Sequence, residues 1–124
     1  MLGTANIVAF VSITDAAKAR EFYEGKLGLR FVKDDGFAVV FESKDTRLRA
    51  VKMNEVKPPH FTVLGWEVKP IEQAVKSLCD RGIHFEIFGF FKQDELGIWT
   101  APSGDKVAWF KDPDGNILSI SEHV

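Results

Sequence analysis

One order of predicted elements, strand–helix–strand–strand–strand, occurs twice in this chain. That repetition limits the available folds more than any other feature. In the first half, residues 6–13 read as a strand, and Thr14 or Asp15 is a suitable helix N-cap. Ala16 to Lys26 has helical periodicity, with Ala19, Phe22, Tyr23 and Leu27 on one face. Gly28 follows as a C′ glycine. Leu29–Lys33, Phe37–Glu42 and Thr46–Met53 read as strands, separated by the turns Asp34-Asp35-Gly36 and Ser43–Asp45.

Pro58-Pro59 marks a connector, and the order then starts again. Phe61–Val68 reads as a strand. Pro70 suits a first helical position, and Ile71, Ala74, Val75 and Leu78 form the apolar helix face. Gly82 ends that helix. Ile83–Phe88, Lys106–Phe110 and Ile117–Ser121 are the remaining predicted strands.

The halves match in detail. Leu27-Gly28-Leu29-Arg30-Phe31 matches Arg81-Gly82-Ile83-His84-Phe85 at an offset of 54, and Val8 matches Val63 at 55. The third and fourth strands match at 70, as Phe41 with Lys111 and Arg49 with Ser119. The jump places an insertion at about Gly89–Gly104, which holds Phe90, Phe91, Trp99 and Pro102. A long aromatic loop is either a lid over a site or a hairpin packed on the sheet. The boundaries are a first module over about 5–54, a connector over 55–60 and a second module over about 61–122. A repeat of this kind predicts one pseudo-twofold domain spanning 1–124.

Composition narrows the function classes. The net charge is -2 with both signs interspersed, so no basic block points to nucleic acid or an anionic membrane. No apolar run approaches the ~20 residues of a membrane-spanning helix. The N-terminal residues lack the charged-then-apolar pattern of a signal peptide. Cys79 is the only cysteine, which excludes an intramolecular disulfide and fits a cytoplasmic location. Its position on the second helix suggests a buried core thiol. There is no phosphate loop, no G-x-S-x-G elbow and no H-E-x-x-H motif.

Asp15, Phe22-Tyr23, Leu27-Gly28-Leu29 and the turn Asp112-Pro113-Asp114-Gly115-Asn116, taken in order with the repeat, resemble the vicinal oxygen chelate superfamily. That group includes glyoxalase I, extradiol dioxygenases, and bleomycin- and fosfomycin-resistance proteins. The resemblance covers nearly the whole chain. It implies an α+β fold in which two βαβββ modules form a curved, mixed eight-stranded sheet around a cup, with helices outside. It also implies a divalent metal in the cup, held by His or Glu on the first and last strands of each module. Such a metal binds two vicinal substrate oxygens and stabilises developing charge.

The implied ligand positions fall on Val8, Arg49, Val63 and Ser119. Valine has no donor atom, arginine repels a cation, and a lone serine does not hold a divalent ion. A slip of one residue offers Ile7, Leu48, Thr62 or Leu64, and Leu118 or Ile120, none of them a good ligand. The expectation is no metal and no cofactor. His60, His84 and His123 read as surface or packing residues, with His60 the nearest to a strand that could carry it inward.

Strands alternate faces, so Phe10, Ser12, Arg47, Val51, Gly65, Glu67, Ile117 and Ser121 should share the inward face with the four ligand positions. Arg47, Arg49 and Glu67 are then polar points among apolar walls. An arginine fork suits a carboxylate or phosphate. The alternative is that both arginines are solvated, or pair with Glu67. Trp66 is expected to pack under the helices. Trp99 and Trp109 could clamp a flat or cationic ligand, or could simply be core.

The predicted ligand-binding set is Phe10, Arg47, Arg49, Glu67, Trp99, Trp109 and Ser119. The predicted function is metal-free binding of a small organic molecule by a homodimer, as in the bleomycin-resistance proteins. One alternative is a metal-dependent lyase or dioxygenase with displaced ligands such as His60 and Glu67. Another is an interaction module with no small ligand.

Overall fold

The computed structural model describes every residue from Met1 to Val124. The chain folds as two compact units, Met1–Lys57 and Pro58–Val124. Each is α+β and carries one four-stranded mixed sheet, so the two-module βαβββ reading holds.

The first unit contains β1 (Val8–Ile13), α1 (Ala16–Arg20), β2 (Arg30–Asp34), β3 (Ala38–Ser43) and β4 (Thr46–Lys52). Its sheet order is β1-β4-β3-β2, with β1 parallel to β4 and the other pairs antiparallel. Asp15 is the cap of α1, its Oδ1 accepting the Lys18 N–H at 3.0 Å. The predicted single helix to Lys26 is not uniform. After Arg20 it widens into a π-helical turn over Glu21–Lys26, where the Leu27 N–H donates to the Phe22 carbonyl at 2.9 Å. That turn buries Phe22 and Tyr23 together, their rings 5.0 Å apart and edge-on. Gly28 then takes φ 78°, where a side chain would be strained, and the chain turns into β2. Val11, Ile13, Phe41, Leu48 and Ala50 face the helix and form the core with Tyr23.

The second unit contains β5 (Thr62–Glu67), α2 (Ile71–Asp80), β6 (Trp99–Thr100), β7 (Lys106–Lys111) and β8 (Ile117–Glu122), ordered β5-β8-β7-β6. Pro70 precedes the first helical residue instead of occupying it, because its ψ of 144° is extended. The Ile71 N–H that opens α2 is taken by Glu122 Oε1 at 2.9 Å. Ile71 and Val75 are buried and Ala74 and Leu78 half-buried, as the periodicity requires. Cys79 is exposed, which corrects the expected core thiol, since it lies off the Ile71–Val75 stripe. Trp66 does pack on the α2 side, stacked on Phe110 at 6.5 Å.

Three further expectations change here. Ile83–Phe88 is not a strand. It makes one bridge, Phe85 to Phe110, and the Glu86 N–H donates to the Trp109 carbonyl at 2.8 Å. The rest of that β7 edge is covered by β6, which comes from the inserted segment, with Trp99 opposite Val107. The edge is shared, so neither segment forms a full strand. The insertion itself is a docked hairpin. The Gln93 amide donates to the carbonyls of Glu86 and Gly97 at 2.9 and 2.8 Å and accepts the Phe88 N–H at 2.7 Å. Finally, the repeat slips by one in the third strand. Phe41 pairs with Leu48, and Phe110 pairs with Leu118, so Phe110 and not Lys111 is the counterpart of Phe41.

The extra residue behind that slip lies in the Asp112–Asn116 turn. Buried Asp112 accepts the Asp114 and Asn116 N–H groups on Oδ1 and the Asn116 side-chain amide on Oδ2, all within 3.0 Å. Gly115 sits at φ 87°, and a Cβ there would stand 3.3 Å from Pro58. No helix is long and apolar enough to cross a membrane.

Candidate functional site

Each sheet turns one face to its helix, and pairing register assigns every predicted site residue to the opposite face. In the first unit Val8, Arg47, Glu42 and Arg30 form one cross-strand row. Phe10, Arg49, Val40 and Lys33 form the next. Phe10 is 60% exposed and Val8 46%, which marks this face as both apolar and accessible.

The arginines are held by carboxylates of their own unit. Glu42 receives the Arg30 fork through Nε and Nη2 on Oε1, at 3.1 and 2.8 Å, and Arg47 Nε on Oε2 at 3.1 Å. Arg49 Nη2 donates to Asp35 Oδ2 at 2.8 Å, while Asp35 Oδ1 accepts the Phe37 and Ala38 N–H groups. Asp35 therefore fixes one end of the Arg49 fork against a well-braced turn. A guanidinium has five N–H donors, so the Arg49 donors beyond this bond are available to an incoming oxyanion.

These contacts favour the ionised carboxylates. The Arg49 hydrogen bond, then the two backbone donors, hold Asp35 well below the usual carboxylate range. Arg30 and then Arg47 lower Glu42, and Lys52 is the main cause for Asp34. The folded pKa lies below the unfolded one in each case. Their contribution to stability is therefore complete above about pH 4 and is lost as pH falls through that range toward the folded values. Solvent screening keeps each contribution small. Asp35→Asn keeps an acceptor for the backbone donors but cannot ionise. Its melting temperature should fall less steeply than the wild type's between about pH 5 and pH 3. Equal slopes in a thermal melt series would show that the pair does not form.

In the second unit Gly65, Ser119 and Trp109 form one row, and Glu67, Ser121, Val107 and Trp99 the next. Trp109 is 8% exposed, and its Nε1 donates to Thr62 Oγ1 at 3.1 Å. Phe91 from the hairpin lies flat on it, with centroids 5.1 Å apart and planes 4° from parallel. Trp99 is 4.7 Å from Phe91 and 6.1 Å from Trp109, and Phe88 meets Trp109 edge-on at 5.5 Å. The two tryptophans do come together, but Phe91 already covers the Trp109 face. Gly65 lets Ser119 pack directly against it, because a Cβ there would fall 2.6 Å from the serine Oγ.

Phe10, Arg47 and Arg49 thus share one face of the first unit, and Glu67, Trp99, Trp109 and Ser119 share one face of the second. Sequence reasoning missed Asp35, Glu42, Thr62, Phe88 and Phe91. The pairing of Arg47 with Glu42 was foreseeable, since they face each other across the short Ser43–Asp45 turn. Thr62 was not, because the β-bulge between Thr62 and Leu64 breaks the alternation there.

The metal positions implied by the resemblance do not fit a divalent ion. They bear Val8, Arg49, Val63 and Ser119, and no three His, Cys, Asp or Glu side chains come close enough to hold one. His60, His84 and His123 are all exposed, and His123 sits against Asp105 at 3.3 Å.

No curated protein matches the chain significantly. Solved structures match it over nearly its full length at low identity. A glyoxalase/bleomycin resistance protein/dioxygenase superfamily member from Sphaerobacter thermophilus is 22% identical with a TM-score of 0.73, covering 99% of this chain and 100% of that one. A lactoylglutathione lyase from Agrobacterium tumefaciens is 18% identical with a TM-score of 0.73, covering 96% and 93%. A glyoxalase/bleomycin resistance protein/dioxygenase from Alicyclobacillus acidocaldarius is 17% identical, also at 0.73, covering 97% and 92%. At these identities the likeness is one of fold. The family description that matches the sequence itself spans residues 6–120. With that match and the two βαβββ modules, the chain belongs to the Glyoxalase/Bleomycin resistance protein/Dioxygenase superfamily.

Proposed function

We propose that this protein binds a small organic anion, a carboxylate or similar oxyanion on an apolar body, without a metal ion. The observation that carries the reading is Arg49. Its guanidinium is braced by Asp35, and it stands on an open sheet face beside the exposed Phe10 ring. That face carries four cations, Arg30, Lys33, Arg47 and Arg49, and the carboxylates among them are Glu42 and, from the turn, Asp35. The whole chain is at -2, so the local excess of positive charge runs against the average and would draw an anion to this face. Phe10 and Val8 supply apolar contact, and Arg49 supplies orientation.

In the second unit Trp99, Trp109, Ser119 and Glu67, which share a face of that unit's own sheet, are a second and separate set of proposed ligand contacts. The protein acts in this reading as a homodimer. Support comes from the edge strands β1 and β2 of the first sheet and from Ile7, Val8 and Phe10, which are exposed to solvent.

A melting screen of metal-stripped protein tests the reading. Aromatic and branched aliphatic carboxylates should raise the melting temperature, by the equivalent of about 2.7 kcal/mol at a hundredfold excess over Kd. The matching neutral amides should not. If amides and acids act alike, or only divalent metals raise it, the reading is wrong.

A further inference from the structure

We infer that Phe91 is an intramolecular occupant of an aromatic-ring site on Trp109 within the second unit, and that a small molecule with a flat aromatic or heteroaromatic ring takes its place. The inference rests on the small-molecule reading above and adds a ligand class and a moving part to it.

The two rings are held differently. Trp109 is fixed. It lies in the middle of β7, paired with Ser119 on one side, and its indole N–H is held by Thr62. Phe88 closes one edge of it and Trp99 stands beside it. Phe91 is held by ring packing alone, against Phe90 at 4.6 Å and Trp99 at 4.7 Å besides Trp109, and it is half-buried. It belongs to the tip of the turn that precedes the Gln93–Trp99 hairpin, where the Phe91 N–H donates to the Phe88 carbonyl at 3.1 Å. Phe90, its neighbour at the tip, is 79% exposed.

The Gln93–Trp99 hairpin that follows is, by contrast, clamped. Gln93 ties Phe88, Glu86 and Gly97 together through its three hydrogen bonds. Asp94 Oδ1 accepts the Leu96 and Ile98 N–H groups at 2.9 Å each. The tip can therefore swing about Gly89 and Lys92 without unravelling the hairpin.

What the swing uncovers is a flat indole face of the size of one or two fused rings. Phe91 already occupies it in the offset-parallel arrangement that aromatic pairs prefer, so the shape is right for a planar ring. Ser119, packed against Gly65, lies on the same cross-strand row, so its hydroxyl is the nearest polar side chain of that row to a substituent on the ring.

Because Phe91 competes with the ligand, removing it should strengthen binding. Calorimetric titration with indole should give about tenfold tighter binding to Phe91→Ala than to the wild type, the worth of one stacked aromatic pair. Phe37→Ala, which removes a ring in the first unit as exposed as Phe90, should leave affinity unchanged. A wild-type NMR experiment does not depend on the variant folding. At saturating indole, Phe91–Trp109 ring NOEs should vanish and indole–Trp109 NOEs should replace them. Equal affinity of the wild type and Phe91→Ala, no indole binding by either, or Phe91–Trp109 NOEs that survive saturation would each overturn the inference. If carboxylates still shift the melting temperature in that case, the small-molecule reading stands without it. If neither indole nor any carboxylate binds, both fall.

Discussion

Phe110→Ala should destabilise the second unit by about 4 kcal/mol, in the range of large-to-small aromatic substitutions in a closed core. Phe110 is 1% exposed. It stacks on Trp66 and meets Phe85 edge-on at 5.5 Å. Its backbone carries the one bridge that attaches the Ile83–Phe88 segment to the sheet. The truncation therefore removes buried area, leaves a cavity that two neighbouring rings cannot both fill, and loosens the segment that leads to the inserted hairpin. Urea unfolding followed by tryptophan emission is the measurement. All three tryptophans, Trp66, Trp99 and Trp109, lie in the second unit, so the signal reports on it. Phe90→Ala, at the exposed tip, should move the midpoint by less than the equivalent of about 0.5 kcal/mol. Similar losses for the two would mean that the helix-side packing described for Phe110 is not what holds this unit.

Arg49→Ala should weaken binding of a carboxylate ligand about thirtyfold, since a hydrogen-bonded charge contributes about 2 kcal/mol. Arg49→Lys should recover little of it, because an ammonium has no fork. Asp35→Asn tests positioning separately. It leaves the guanidinium in place but weakens the brace, so affinity should fall by less than in Arg49→Ala while the ligand's neutral amide is unaffected. Calorimetry on a carboxylate found by melting screen distinguishes these. An Arg49→Ala variant with wild-type affinity would remove Arg49 from the site.

Much of the fold was legible because its punctuation is local. Asp15, Gly28 and Gly82 mark helix ends by their own backbone chemistry, and the second helix showed its buried stripe in plain periodicity. The βαβββ order repeated, and the two sheets have the same strand order. What failed depended on contacts distant in sequence. Ile83–Phe88 has strand composition, but β7 has only one free edge, and Trp99–Thr100 takes half of it. The π-helical turn after Arg20 leaves no trace in an apolar pattern that suits an ordinary helix as well.

The candidate site was legible as a set of faces and not as a set of partners. Alternation puts Phe10, Arg47 and Arg49 on one face of the first sheet and Glu67 and Ser119 on one face of the second, and the pairing register does the same, because side-chain direction along a strand is fixed by period two. It could not reveal that Asp35, fourteen residues from Arg49, orients that guanidinium. Nor could it reveal that Phe91 lies on Trp109, since a loop ring has no periodicity to place it.

The central claim is that this chain does its work without a divalent metal, and metal content tests it most directly. The measurement is elemental analysis of protein purified without a polyhistidine tag or chelator, followed by titration with zinc, nickel, iron and manganese. The account predicts far less than one equivalent of any of them, and no change in melting temperature on titration. Stoichiometric metal that raises the melting temperature would contradict it, and would point to a lyase or dioxygenase whose ligands lie at positions other than Val8, Arg49, Val63 and Ser119.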